Sequence, residues 1–564
     1  MPYQGDSMGG FVGNYRTLAL LEQVRPAANN AGRVATVGIP QDTSIYYISQ
    51  GAGWQPLVVS NTDPVTGKIA LLAGGSALDM TAKRAARVAF IGDSITAWDC
   101  DNTAKILGNA WPTYFTLSMQ GSVTHCGNFA VGGTTSAQAL ATQLPQVLAL
   151  VPTITHCFVA TGTNDTDPIA QTQPNVLAIC AALVAANIIP IIRNMPPSGT
   201  AAIGAPTVTA TPSTTGGTLA AATYGYRVSS VNGAGETLAA TEVTATTTGS
   251  TGSVSLTWPI VLGATGYRIY GRTQGAELLL HFNNNSGGQS RPVCMYLDDG
   301  SATPSGALPG SNTTAVALTS PVRTKITTGN AVLNRIAQAG GYPFYDAYTF
   351  FVDASTGMYR TGATRDGTHP TDKEFKLLGA DMAVKLVNIF APYVPYLAGD
   401  NSDPTCLFTN PLMLTNNGSY PAGWSPYNGA ACESIVAGTG GKGSAYQINR
   451  LDYTGRYGSS PVVTTGFSIG DRLRFSGKIT VTGADTNGGQ PALDLKFVGV
   501  SPTQYLISMP LNSDTPGGTC TFVFESVVPT GTTSLTIDTA IGYGPVTLKI
   551  EDLTVQNLTV LGIL

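Results

Sequence analysis

The sequence predicts an α/β core built on a parallel sheet, split by an inserted β domain and followed by a second β domain. Three observations carry this. Between Arg84 and Arg193 short apolar strands alternate with helical segments, the pattern of βαβ units around a parallel sheet. From about 201 to 317 the alternation stops; Thr, Ser and Gly dominate and apolar residues recur with period two. The α/β pattern resumes at Val322, and after Pro395 β-like patterning runs to Leu564. An all-β block inside an α/β domain reads as an insertion in a tolerant surface loop. The regions expected are a small β-containing segment (1–80), the α/β domain in two parts (81–200 and 318–398), an inserted β-sandwich (201–317) and a C-terminal β-sandwich of jelly-roll kind (399–564).

The N-terminal region offers a short helix at Tyr15 to Val24 and β segments at Arg33 to Gly38 and Ser44 to Ser49, ending at Gly74-Gly75-Ser76-Ala77. In the α/β domain, Arg87 to Ile91 is an apolar strand and Asn102 to Met119 carries a helical segment. Val123 to Cys126 is the second strand, and Ser136 to Leu150 a helix that Pro145 is expected to kink. Thr155 to Ala160, a helix from Asn175 to Ala186, and Ile188 to Arg193 complete the first half. The second half offers a helix at Val322 to Ala339, a strand at Phe344 to Ala347 and a helix from Thr371 to Phe390. The C-terminal strands expected are Arg472 to Val481, Ala492 to Val498, Thr519 to Val527, Ser534 to Thr539 and Val546 to Val555, separated by Gly, Asp and Asn turns.

At 564 residues the chain exceeds what one core can organise. Only 11% of residues are charged, yet 43% are hydrophobic, which excludes a disordered chain and implies a neutral polar surface. A net charge of −4 supplies no basic stripe to neutralise phosphates, so a nucleic-acid partner is excluded. The eight cysteines (100, 126, 157, 180, 294, 406, 432 and 520) form no C-x-x-C pair and read as reduced, mostly buried thiols. Met1 to Val12 has neither a cationic start nor an apolar core, so no signal peptide is expected. The run Val176 to Ile192 is broken by Asn187 and Pro190 and parses as a helix followed by a strand, without membrane insertion.

Four short motifs lie at predicted strand ends. Gly92-Asp93-Ser94-Ile95-Thr96 follows the first strand, where a serine is exposed at the carboxyl edge of a parallel sheet. Asn128 to Thr134 follows the second; Gly132 and Gly133 let backbone N–H groups approach a ligand. Gly162-Thr163-Asn164-Asp165 follows the third, offering the Asn164 amide as a donor. Asp366-Gly367-Thr368-His369-Pro370 precedes the last helix, with two residues between a carboxylate and an imidazole that share one loop. There the imidazole can act as base while the carboxylate fixes its tautomer. Each motif alone has a bland reading as turn or cap chemistry. All four in order point to an enzyme that attacks an acyl carbon.

These four blocks resemble those of the SGNH (GDSL-like) hydrolase family, over about 84–200 and 318–395. Ala130 departs from the family pattern, where many relatives carry glycine; of Gly132 and Gly133, Gly133 is taken as the donor. The resemblance implies a three-layer α/β/α, flavodoxin-like core and a serine esterase. It implies Ser94 as nucleophile, His369 as general base and Asp366 as its partner, with an oxyanion hole from the N–H groups of Ser94 and Gly133 and the Asn164 side chain. No cofactor is implied, and no metal: His125-Cys126 and His156-Cys157 sit on predicted core strands without zinc-ligand spacing.

The insertion carries Tyr224-Gly225-Tyr226-Arg227-Val228 and Val254-Ser255-Leu256-Thr257-Trp258, which look like fibronectin type III strands in reversed order. It is either a permuted module or one sharing only sandwich patterning, its Tyr and Trp serving as core. The C-terminal segments Phe467 to Gly477 and Val546 to Val555 resemble carbohydrate-binding jelly rolls; trimer assembly or shielding of sheet edges is an equal expectation. The whole resembles a phage tailspike or tail-fibre protein that removes O-acetyl groups from capsule or O-antigen. The expected partners are then acetylated bacterial polysaccharide, other phage tail proteins and two further copies in a homotrimer. The N-terminal region would attach to the tail, and a virion protein released by lysis needs no leader. A secreted bacterial esterase acting on plant or host glycan, and a receptor-binding tail protein with an inactive hydrolase domain, are the alternatives.

Overall fold

The computed structural model describes residues 86–98, 110–150, 154–284, 293–390, 401, 405–427, 432–439, 443–450, 458–482, 491–500, 504–510, 518–541 and 546–561, with short strands between 11 and 79. Phe11–Tyr15, Val34–Val37, Ile45–Ser49 and Trp54–Pro56 pair in that order, and Val59–Thr62, Lys68–Leu71 and Leu78–Asp79 make a second small sheet. Tyr15 therefore ends a strand instead of starting a helix; the rest of that predicted helix, and Gly74 to Ala77, lie outside the described residues.

The α/β core runs β1 (Ala86–Gly92), α1 (Ser94–Ala97), α2 (Trp111–Ser118), β2 (Val123–Asn128), β3 (His156–Ala160), α3 (Gln173–Ala185) and β4 (Ile189–Arg193). After the insertion come α4 (Ser320–Gly340), β5 (Phe344–Tyr345) and α5 (Asp372–Leu386). The five strands are parallel in the order β5-β4-β3-β1-β2. The apolar runs 88–91, 157–160 and 190–192 follow from burial on both faces. Val88, Phe90, Phe158 and Ile191 pack with Trp111 and Phe115 of α2 and Phe375 and Leu378 of α5. Ala89, Ile91, Cys157, Val159 and Ile192 turn the other way, onto Ile179 and Leu183 of α3 and Leu333 and Ile336 of α4. The stretch from Pro168 to Ala185 is long and apolar enough to cross a membrane, yet Val176, Ile179, Cys180 and Leu183 are spent on this core.

Two predicted elements are corrected. The helical stretch 136–148 is not simply kinked at Pro145: Ala139–Gln143 forms a π-helix between α-helical Ser136–Gln138 and Leu144–Leu148. The wider turn accommodates a proline that has no N–H to give. The strand expected to reach Ala347 stops at Tyr345, because Asp346 accepts from the Thr349 N–H and caps a short helix, Ala347–Phe351.

The insertion folds as two antiparallel sheets. Thr209–Ser213, Ser253–Pro259 and Val293–Asp298 form one, and Val243–Thr246, Thr223–Val231, Gly266–Arg272 and Leu278–Asn284 the other. Val254, Leu256 and Trp258 from the first meet Tyr226, Val228, Tyr267 and Ile269 from the second in one core. Trp258 and Tyr267 meet edge-on at 5.4 Å, so these aromatics are buried packing groups.

The C-terminal region contributes β6 (Glu433–Ala437), β7 (Ser444–Arg450), β8 (Arg472–Thr482), β9 (Gly518–Val527) and β10 (Val546–Asn557). A second sheet takes Trp424–Tyr427, Gly458–Val463, Ser534–Ile541, Pro491–Val498 and Gln504–Pro510 in that order. The first sheet is not separate from the α/β core. β9 pairs with β2 at Phe524 and His125, giving one ten-stranded sheet, β5-β4-β3-β1-β2-β9-β8-β10-β7-β6. An edge strand that would otherwise be open is thereby covered. Behind the seam Glu525 of β9 binds Arg87 of β1, and Arg474 at 3.0 Å and Arg472 at 3.6 Å on β8. Burial pushes the Glu525 carboxyl up, but the three guanidiniums together hold it below the ordinary range.

Removing one member of such a buried cluster strands the others. Glu525→Ala is expected to destabilise the chain by about 3–5 kcal/mol, read as a lower urea midpoint. Because the folded value lies below the unfolded one (~4.3), the carboxylate's contribution is complete above the unfolded value. It is lost as pH falls through the folded value. An unchanged midpoint in the variant would show that the cluster contributes nothing to the seam.

Candidate active site

β1 ends at Gly92, and the chain turns at once into α1. Asp93 is the N-cap: its Oδ1 accepts from the Ile95 N–H at 3.1 Å, and its carbonyl accepts from Thr96 and Ala97. That cap is fully buried, and burial pushes its carboxyl up against the opposing pull of Arg193. Ser94 is therefore the first helical residue, half-buried at the carboxyl edge of the sheet.

The turn itself is clamped. Gln143, brought inward from the π-helical stretch, accepts from the Gly92 N–H at 2.8 Å and donates to the Gly92 carbonyl at 2.9 Å. The Thr134 hydroxyl also donates to that carbonyl at 3.1 Å, and the Val131 N–H at 3.3 Å. The loop 131–134 is thus draped over the nucleophile turn. A methyl built on Gly132 would lie 3.9 Å from Ser94 Cβ, and Gly133 holds φ +76°, a left-handed conformation costly for any side chain. Among the described residues the N–H groups of Ser94 and Gly133 have no protein acceptor.

Asn164 follows β3, whose Ala160 lies in register with Gly92. Its amide donates one N–H to the Thr134 carbonyl at 3.0 Å, which fixes the side chain and leaves the second N–H for a ligand. Asp165 beside it is buried: it accepts from the Ser136 N–H at 2.9 Å and the Thr172 hydroxyl at 2.7 Å, tying the asparagine turn to the neighbouring helix.

The second half of the chain delivers the remaining groups. Ser94 Oγ lies 2.8 Å from His369 Nε2, and His369 Nδ1 lies 2.7 Å from Asp366 Oδ2. The other oxygen of Asp366 accepts from the backbone N–H groups of Thr368 at 2.9 Å and His369 at 2.7 Å. Burial raises the Asp366 carboxyl, but these hydrogen bonds outweigh it and hold the group below its ordinary value, so it stays ionised. An ionised carboxylate only accepts, which assigns the proton to Nδ1 and leaves Nε2 free to accept from the serine.

Trp98 walls the imidazole, ring centroids 5.2 Å apart. Its indole N–H donates to Asp372 at 3.2 Å, and Arg365 covers its outer face at 4.1 Å while pairing with the same aspartate. His125 and His156 lie elsewhere, buried on β2 and β3, where burial lowers them to about 3 and about 4. Among the described residues no three His, Cys, Asp or Glu side chains are grouped to hold a metal ion.

The sequence motifs thus converge on one edge, but the roles of Gln143, of Thr134 at the end of the glycine motif and of the Trp98–Arg365–Asp372 wall do not follow from them. Gln143 carries only a weak signal, a polar residue in a stretch whose neighbours Leu144 and Val147 are core.

The oxyanion role expected of Asn164 from its motif carries a quantitative prediction. Asn164→Ala should lower kcat for a small acetyl ester by roughly 10²–10³-fold with an unchanged melting temperature. A loss under threefold would remove the amide from the site's chemistry.

Residues 90–284 match the model of the GDSL-like Lipase/Acylhydrolase family. This segment includes the serine, glycine and asparagine blocks; Asp366 and His369 lie outside it. No curated protein matches the chain. Among solved structures, a GDSL-like lipase from Bacteroides thetaiotaomicron aligns at 14% identity and TM-score 0.28, over 54% of this chain and 90% of that one. A psychrotrophic esterase from Pseudoalteromonas sp. aligns at 21% identity and TM-score 0.17, over 20% and 60%. The enzymatically active domain of tailspike protein 4 from bacteriophage CBA120 aligns at 10% identity and TM-score 0.20, over 26% and 22%.

Proposed function

We propose that this protein is a serine esterase of the SGNH (GDSL-like) type that removes O-acetyl groups from a bacterial surface polysaccharide, capsule or O-antigen, as part of a phage tailspike or tail fibre. The observation that carries the chemistry is the hydrogen-bonded chain from Ser94 through His369 to Asp366, at 2.8 and 2.7 Å.

In this reading Ser94 Oγ attacks the acetyl carbonyl as His369 Nε2 takes its proton. The carbonyl oxygen, now negative, is met by the N–H groups of Ser94 and Gly133 and the Asn164 amide. As the tetrahedral species collapses, the sugar oxygen leaves with the proton from Nε2, and the acetyl group remains in ester linkage to Ser94 Oγ. Water then repeats the sequence: His369 takes its proton, the acyl–serine bond breaks, and Oγ recovers the proton. Asp366 stays ionised throughout and stabilises the imidazolium.

The polysaccharide is favoured by the surroundings of the site. Only 11% of the chain's residues are charged, and two strand-rich regions of sandwich design accompany the hydrolase. In the tail context the inserted and C-terminal regions would support glycan contact or homotrimer assembly, and the N-terminal strands attachment to other tail proteins.

The test follows the acetyl methyl signals of acetylated capsule and O-antigen polysaccharides by NMR during incubation with the protein. Loss of bound acetyl with matching growth of free acetate is expected, and none with Ser94→Ala. Cleavage of p-nitrophenyl acetate without release from any polysaccharide would overturn the substrate. Equal cleavage of the small ester by Ser94→Ala would overturn the enzyme.

A further inference from the structure

We infer that the inserted β module is part of the mounting of the acid–base loop, and that Gly233 is a positioning residue acting through Asp366. The inference rests on the serine-esterase reading of the site.

The loop 364–370 carries both Asp366 and His369; it is braced within itself and by the Tyr359 hydroxyl on the Thr368 carbonyl, and three further hydrogen bonds reach it from the insertion or its incoming connection. The Gly233 N–H, in the turn after the strand Thr223–Val231, donates to the Arg365 carbonyl at 2.6 Å. On the incoming connection, the Gly199 N–H and the Ser198 hydroxyl donate to the Gly367 carbonyl at 2.8 and 3.2 Å. On the outgoing one, Val316 packs where a side chain on Gly367 would stand.

The turn is shaped for this approach. Asn232 is buried; its Oδ1 accepts from the N–H groups of Ala234 and Gly235 at 2.9 and 3.0 Å, and its Nδ2 donates to the Thr314 carbonyl at 2.9 Å. A Cβ on Gly233 would stand 2.7 Å from Asp366 Cβ and 3.0 Å from the Arg365 carbonyl. Gly233 does not have a left-handed φ, so its own backbone would accept alanine. The obstacle is the catalytic aspartate. A methyl there must push Asp366, and with it the imidazole whose Nδ1 it holds.

The experiment uses the full chain and p-nitrophenyl acetate, an ester too small to report on glycan access. Gly233→Ala is expected to lower kcat roughly 10²-fold, the usual consequence of a displacement near 1 Å, with KM within about twofold. A double-mutant cycle with Asp366→Asn separates positioning from general damage. If Gly233 acts through Asp366, Gly233→Ala has no further effect once Asp366 is already asparagine. A folded Gly233→Ala protein with kcat within twofold of wild type overturns the inference, and so does a full additional loss in the Asp366→Asn background. Should Gly233→Ala not fold, Asn232→Ala unshapes the turn without adding an atom beside Asp366. Its kcat loss must likewise vanish in the Asp366→Asn background, or the inference fails. If Asp366→Asn alone leaves kcat intact, Asp366 does not orient His369 and the inference fails; the esterase reading fails separately, if Ser94→Ala leaves kcat intact.

Discussion

Ser94→Ala is expected to lower kcat for acetyl esters by roughly 10⁶-fold, the loss seen when a serine nucleophile is removed from a complete triad. The expectation is sharp because the substitution touches little else. The helix cap is Asp93, whose side chain holds the Ile95 N–H, so Ser94 carries no capping duty. The clamp on the turn acts at Gly92, through Gln143 and Thr134. The one side-chain partner lost is His369 Nε2, which sits in a half-buried site open to water. Melting temperature and urea midpoint should therefore match the wild type. Residual catalysis over water is still expected, since the proposed oxyanion donors do not depend on Oγ. A Ser94→Ala protein with more than a hundredth of wild-type kcat would show that the ester is cleaved elsewhere.

The site was legible because its chemistry is local. Each block is a strand end followed by a turn: Gly92-Asp93-Ser94 after β1, Gly132-Gly133 after β2, Asn164 after β3, and Asp366 with His369 three positions apart in one loop. Glycine and short polar residues at any one of those points read equally as turn or cap chemistry, and it is their joint order that marks the site. What holds the blocks together did not read. Gln143 reaches Gly92 across 51 positions, Asn164 reaches Thr134 across 30, and His369 reaches Ser94 across 275. The last was inferred only because its partners form a recognisable pair; nothing marks Gln143 in advance.

The same distinction runs through the fold. Strands such as Arg472–Thr482 and Val546–Asn557 are long and alternate clearly, and their positions followed from period-two patterning. Trp424–Tyr427, Glu433–Ala437, Ser444–Arg450, Gly458–Val463 and Gln504–Pro510 are short or broken by Ser, Gly and Pro, and were passed over. The merged sheet was beyond sequence reasoning for another reason. β2 and β9 meet at a single registered pair, with Arg87 and Glu525 behind it 438 positions apart. A lone buried glutamate in an apolar strand announces a partner but does not say which arginine it is.

Asp366→Asn is expected to lower kcat about 10⁴-fold with an unchanged fold, and the hydrogen bonds around Asp366 give the reason. Two backbone N–H groups, of Thr368 and His369, point at one oxygen of the carboxylate. An asparagine must offer them its carbonyl, because its NH₂ group would set donor against donor. The NH₂ is then forced toward His369 Nδ1. That nitrogen becomes an acceptor, so the ring proton moves to Nε2, the atom that must accept from Ser94. The imidazole is held in place with the wrong tautomer, and the ~10⁴-fold cost of that error in a serine triad is the measure to expect. Asp366→Ala leaves both N–H groups unsatisfied and should lose stability as well, by about 1–3 kcal/mol. The asparagine variant is therefore the discriminating one: normal urea midpoint, normal KM, and kcat lower by about four orders of magnitude. A drop below tenfold would mean that another group orients His369, and that the loop's hydrogen bonds serve the fold alone.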